Sequence, residues 1–145
     1  MAPPRTDKTG APVEVRLERS GQFGSYVVSR ADDAVAGRAD FIETQGSGHR
    51  ERIFFHTEVD PHLAGRGLAR LLVEEALADS IRSDVGVVPV CPLFAAHLTR
   101  RRDEFVSRGG VFRRPSPDDL VIVSRLVRDR SERPDVRDRS ERPDD

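Results

Sequence analysis

The first half of the chain alternates apolar and polar positions, with turn residues between the alternating stretches. Val13, Val15 and Leu17 are apolar and Glu14, Arg16 and Glu18 separate them, the period-2 pattern of a half-buried strand. Arg19-Ser20-Gly21 ends it. Gly24-Ser25-Tyr26-Val27-Val28 predicts a second strand, residues 36–44 a third and residues 52–59 a fourth. Turn chemistry lies at residues 30–33 and at Gln45-Gly46-Ser47-Gly48. The expected arrangement is an antiparallel meander.

The period then changes. Leu68, Leu71, Leu72, Ala76 and Ile81 recur at helical spacing, with Val73 and Leu77 widening the stripe. Arg70, Glu74, Glu75 and Asp79 fall largely opposite, so the spacing predicts a helix over 68–81. The run Val85-Gly86-Val87-Val88-Pro89-Val90 is almost wholly apolar, as a strand covered on both faces requires. Pro89 has no amide donor, which opens or bulges the ladder near it. A short helix is expected after Pro92, a turn at Gly109-Gly110 and a last strand at Leu120-Val121-Ile122-Val123.

The ends differ in composition. Residues 1–12 carry three prolines and a glycine with few large apolar groups, and are expected to be disordered. Residues 127–145 repeat VRDRSERPD twice with one further Asp, a polyampholyte that cannot bury a core and is likewise expected to be disordered. One domain is therefore expected over 13–126, in a chain of 145 residues that is 37% apolar.

Charge narrows the function. The 24 basic and 25 acidic side chains leave a net charge of −1, which argues against a basic nucleic-acid surface. The basic residues are 23 arginines and a single lysine, Lys8. The lone cysteine, Cys91, excludes an intramolecular disulfide framework and fits a reducing compartment. The N-terminal MAPPRTDKTGAP has no apolar leader core, and no stretch approaches the ~18 apolar residues of a membrane span. A cytoplasmic protein without membrane or nucleic-acid partners is expected, as a monomer or weak homodimer.

Chemistry concentrates in residues 53–94. Gly65-Arg66-Gly67 follows a strand and opens the best helix of the chain. The first amides of a helix have no partner within it, the helix dipole adds positive charge, and glycine lets backbone approach a phosphate closely. Alone, a GxG is better read as a structural turn; strand before and helix after supply the context of a phosphate loop. There is no Lys for a GxxxxGK[ST] loop, and no third glycine and acidic residue for a dinucleotide fingerprint. No metal is expected.

HTEVDPHLAGRGLARLLVEEAL followed by VVPVCP resembles the GNAT (N-acetyltransferase) superfamily. More narrowly, it is similar to the minimal single-domain members with an H-T-E-V strand and a V-x-P-x-C-P strand end, over roughly residues 24–100. The resemblance implies an α/β fold, a mixed, mostly antiparallel sheet with a V-shaped split and a pyrophosphate-binding loop and helix. It implies acetyl-CoA as co-substrate and transfer of an acetyl group to an amine by direct attack on the thioester. A CoA- or acyl-CoA-binding protein with little turnover, and an inactive interaction module, are the alternatives.

By the same resemblance, Gly65, Arg66, Gly67, Leu68, Ala69 and Arg70 hold the pyrophosphate, with His62 in place of the superfamily's Gln or Arg. The Val59 backbone meets the pantetheine or the thioester. His56 and Glu58, two apart on one strand, share a face that either offers a base for the incoming ammonium or is merely polar and wet. Cys91 lies near the expected thioester as nucleophile, as proton donor to the leaving thiolate, or as a small buried hydrophobe. His97 falls roughly where larger relatives place a thiolate-protonating tyrosine, and is either that donor or a partly buried helix residue.

Overall fold

In the computed structural model, which describes residues 5–46 and 48–131, six strands lie side by side in chain order. They are β1 (Arg5–Thr6), β2 (Pro12–Ser20), β3 (Phe23–Arg30), β4 (Val35–Gln45), β5 (Arg50–Val59) and β6 (Gly86–Pro89). The first five are antiparallel neighbours, and β6 joins parallel to β5. That change of sense needs a crossover, and α1 (Leu68–Arg82) supplies it. After β6 come α2 (Pro92–Arg100) and α3 (Arg102–Ser107). The mixed α/β fold with a mostly antiparallel sheet is as the sequence predicted.

The core lies between α1 and one face of the sheet. Leu68, Leu72, Val73, Ala76 and Leu77 of α1 are buried with Tyr26, Val28, Ala39, Phe41 and Phe54 of β3, β4 and β5. Phe41 and Phe54 are 5.3 Å apart between centroids, and Phe94 of α2 stacks on Phe54 at 4.4 Å. Gly24 makes room for this arrangement, since a Cβ there would sit 2.2 Å from the Phe41 ring. On the other face, the register row Phe23, Ile42, Ile53 and Val88 is apolar, and the last three are fully buried.

A polar network is buried beside the aromatic cluster. Arg52 donates to the Tyr26 hydroxyl at 2.6 Å and to Glu43 at 3.1 Å, and lies 3.5 Å from Asp79 of α1. Its guanidinium sits over the Phe41 ring, 4.7 Å from the centroid. The Tyr26 hydroxyl in turn donates to Asp79. Burial and the Asp79 carboxylate push the Tyr26 hydroxyl well above its ordinary range. Burial alone would raise the Glu43 carboxyl, but Arg52, Arg19 and Arg50 together hold it below its usual value.

The free edge of β6 is met by the chain returning from α3. Val87 donates to Val111 at 2.9 Å and accepts from Arg113 at 3.1 Å, with a parallel bridge to Phe112. The Arg113 guanidinium holds both oxygens of the buried Glu51 carboxylate at 2.9 Å.

Three expectations are corrected. Residues 5–12 are built into the structure: β1 pairs with Pro12 and Val13, and the Asp7 carboxylate closes the turn between them. The run at 120–123 is no strand but part of α4 (Pro117–Ser131). Ser116 starts that helix, giving its amide and hydroxyl to the Asp119 carboxylate at 2.7 and 3.1 Å. The amide's hydrogen bond to the acid three residues on is half of a capping box, and proline takes the first helical position. Finally, α4 takes in residues 127–131 of the expected disordered tail, whose remainder lies outside the described residues. The chain divides into two compact units, Met1–Arg114 and Pro115–Asp145, where the sequence reading has one domain run to residue 126.

Candidate active site

The site begins where β5 and β6 part. Their register runs from Glu51 opposite Gly86 to Phe54 opposite Pro89, and Cys91 then donates its amide to the Phe54 carbonyl at 2.8 Å. β5 continues to Val59, but among the described residues nothing pairs with it on the β6 side beyond that bond. A bulge helps turn it away. Asp40 is opposite His56 and Phe41 opposite Phe54, which leaves Phe55 without a partner in β4.

Beyond the bulge β5 presents two faces. Thr57 points to the Cys91 side, with its hydroxyl 3.4 Å from the buried Cys91 sulfur. His56 and Glu58 take the opposite face and are exposed, His56 Nε2 lying 2.7 Å from Glu58 Oε1. Their register neighbours on β4 are Asp40 and Arg38, themselves ion-paired at 3.1 Å, and Ser25 donates to Asp40 at 2.6 Å. The strand thus separates a thiol and hydroxyl from an imidazole, two carboxylates and a guanidinium.

Cys91 caps the N-terminus of α2 and makes no side-chain cap bond. Thr57 is its polar side-chain neighbour within hydrogen-bonding distance among the described residues. Among the described residues, no basic or cationic side chain lies within that distance of the sulfur.

The loop from β5 to α1 is held by its own side chains. Asp60 accepts from the His62 amide at 2.9 Å and faces the His62 ring at 3.2 Å. These bonds, the amide first, hold the Asp60 carboxyl below its ordinary value. Leu63 anchors the following 3₁₀ turn (Pro61–Leu63) in the core. The chain then turns twice through positive φ, at Gly65 (83°) and Gly67 (76°), and α1 starts with no side-chain cap and no acid in its first turn. Leu71 to Gly67 is the first intrahelical bond, so the amides of residues 65–70 have no acceptor among the described residues.

Not every expected residue adds a free charge here. The Arg66 guanidinium lies 3.7 Å from Asp7, and Arg70 pairs with Glu74 at 2.9 Å. His62 is turned to Asp60 and is 93% exposed. His97 does not join Cys91 or Glu58. It lines a cavity of about 280 Å³ with Arg70, Glu74, Leu77, Arg101 and Phe105, between α1, α2 and α3. Burial lowers its pKa, opposed by Glu74 and reinforced by Arg100, Arg101 and Arg70. Sequence reasoning passed over Thr57, although alternation from His56 and Glu58 places it on the cysteine side, and it missed Asp7 and Lys8 at the glycine turn.

A family model described as GCN5-related N-acetyl-transferase matches residues 25–107, more than half of the chain. The chain belongs to that family. The region matched begins on β3 and ends with α3, so this N-acetyltransferase-family domain includes the opening, the glycine turn and Cys91, while residues 5–24 and α4 lie outside it. A comparison with curated proteins finds no match. Among solved structures, the chain is similar to an aminoglycoside acetyltransferase from an uncultured soil metagenomic sample, crystallised with trehalose. That likeness has 12% identity over 59% of this chain and 58% of the other, with a TM-score of 0.45. A ribosomal-protein-alanine N-acetyltransferase from Brucella melitensis biovar Abortus 2308 matches at 20% identity over 57% of this chain and 62% of the other, TM-score 0.43. The glucosamine N-acetyltransferase region of a fungal multi-domain GH3 β-N-acetylglucosaminidase matches at 18% identity over 43% of this chain and 7% of that one, TM-score 0.38. The chain therefore spans less than two thirds of each of these proteins. For the described residues, no helix is long and apolar enough to cross a membrane.

Proposed function

We propose that the chain transfers an acetyl group from acetyl-CoA to an amine by direct attack on the thioester. The observation that carries this reading is the coincidence of two features in a GCN5-related N-acetyltransferase domain. One is the parting of β5 from the chain leaving β6; the other is the row of amides without acceptors at residues 65–70, just beyond the same strand. Those amides, at the positive end of a helix dipole, suit the diphosphate. The free backbone edge of β5 near Val59 suits the amide-bearing pantetheine arm. Acetyl-CoA would supply an activated acetyl group; the chain's residues orient it and handle protons.

Proton handling divides between the two faces of β5. The exposed His56–Glu58 pair accepts the proton of the incoming ammonium. Glu58, exposed on that face, favours a cationic acceptor, while Asp40 is buried against Arg38. Cys91 has a neutral hydroxyl for its polar neighbour, which suits donation to the departing thiolate better than attack.

Thermal melting with acetyl-CoA tests the reading. At ~100-fold over its Kd, a ligand of the folded state alone stabilises by about 2.7 kcal/mol. An unchanged melting temperature with either acetyl-CoA or CoA would remove it. Thiol release that rises on adding an amine distinguishes an enzyme from a binder.

A further inference from the structure

Residues 5–11 form a strap across the glycine turn. Arg5 pairs with Glu75 of α1, anchoring one end. The Asp7 carboxylate is almost wholly buried and accepts from the Thr9 amide at 2.8 Å, the Thr9 hydroxyl at 2.6 Å and the Ala11 amide at 3.1 Å. Its second oxygen faces the Arg66 guanidinium. Lys8 donates its amide to the Arg66 carbonyl at 2.9 Å. The aliphatic stem of Lys8 then runs over Gly67, close enough that a Cβ there would lie 3.0 Å from Lys8 Cγ and 3.3 Å from Cε.

The consequence is an exchange of cations at the turn. Arg66, the basic residue within the glycine sequence, has a carboxylate beside it. Lys8, far away in sequence and the one lysine of the chain, has no ion-pair or hydrogen-bond partner for its ammonium among the described residues. An uncommitted ammonium beside amides that lack acceptors is matched to an anion rather than to the strap. The side chains of Arg5, Asp7 and Thr9, by contrast, are engaged in holding the strap down.

Resting on the acetyl-CoA reading above, we infer that Lys8 is a binding residue for the diphosphate of the co-substrate, carried to the glycine turn by the N-terminal strap. The strap is thus part of the binding site although it lies outside the family-matched region.

Titration calorimetry of CoA into the full chain tests this, with Lys8→Met and Lys8→Arg as the variants. K8M keeps an unbranched stem over Gly67 and removes the charge; K8R keeps the charge. K8M is expected to raise the Kd about 5- to 10-fold, the scale of one partly exposed charge-assisted contact, and to flatten its dependence on salt. K8R is expected to stay within about twofold of the unsubstituted chain. If the unsubstituted chain binds CoA and K8M binds it equally well, the Lys8 assignment falls while the acetyl-CoA reading stands. K8R as weak as K8M would overturn it too, by placing the effect in shape rather than charge. No binding by the unsubstituted chain would remove the acetyl-CoA reading itself.

Discussion

The hydroxyl of Thr57 and the thiol of Cys91 face each other at 3.4 Å, just beyond the last backbone bond joining β5 to the chain leaving β6. One residue comes from each side of the opening, so the pair gauges its width at the narrow end. On the reading proposed above, the thiol beside this neutral hydroxyl is assigned to proton donation rather than attack. Cys91→Ala is therefore expected to lower kcat for acetyl transfer by about 10- to 100-fold with little change in KM for acetyl-CoA. Mass spectrometry of the unsubstituted chain after acetyl-CoA treatment should show no acetyl adduct on Cys91; a stoichiometric adduct that an amine discharges would contradict direct attack.

Gly67 is constrained twice, by a φ of 76° and by the Lys8 stem above it. Alanine there would cost about 1–2 kcal/mol of backbone strain and crowd the place where a phosphate would approach. Gly67→Ala should lower the melting temperature and weaken CoA binding by about tenfold or more. Gly65→Ala meets open space and should show the strain without the crowding.

Arg52 serves three buried or half-buried acceptors at once. Replacing it by methionine fills much of the volume but leaves the Glu43 and Asp79 carboxylates without their shared cation. The expected loss is about 3–5 kcal/mol in urea unfolding. A loss below ~1 kcal/mol would mean that the network is wetter than its burial indicates.

His97 has a pKa below its ordinary 6.5 in the folded chain. The unfolded chain takes up the proton first as pH falls. The stabilising contribution is thus present above about pH 6.5 and is lost as pH falls through the folded-state pKa. His97→Gln should flatten the fall in melting temperature between about pH 7.5 and 5.5. It should leave the pH dependence of kcat unchanged, since His97 lines a cavity apart from Cys91 and the His56–Glu58 pair.

Much of this was legible because each element carries one dominant signal. Alternation placed β2 through β5, and the stripe from Leu68 placed α1. At Leu120-Val121-Ile122-Val123 two signals competed. A β-branched run suggested a strand, while Ser116-Pro117-Asp118-Asp119 just before it spelled a helix start, and capping chemistry prevailed. His97 illustrates a different limit. Six residues along a helix is about 600° of rotation, which leaves His97 roughly 240° around the axis from Cys91. Proximity in sequence gave it no proximity in space. The strap had no hydrophobic pattern to announce it; Asp7 holds it by local hydrogen bonds, and its partners, Arg66 in the glycine turn and Glu75 on α1, are some sixty to seventy positions away.

The chain segment along β6 matters for how copies of this protein meet. Among the described residues, Val87 is already bonded on its outer side and Arg113 is clamped to Glu51, so the outer edge of the short parallel strand is occupied at its middle. At the other border, β1 covers only the start of β2, and the remainder carries Glu14, Arg16, Glu18 and Arg19. Such alternating charge resists stacking against another edge. Sheet-to-sheet growth, the usual route from a small β-rich domain to fibres, is thus discouraged at both borders.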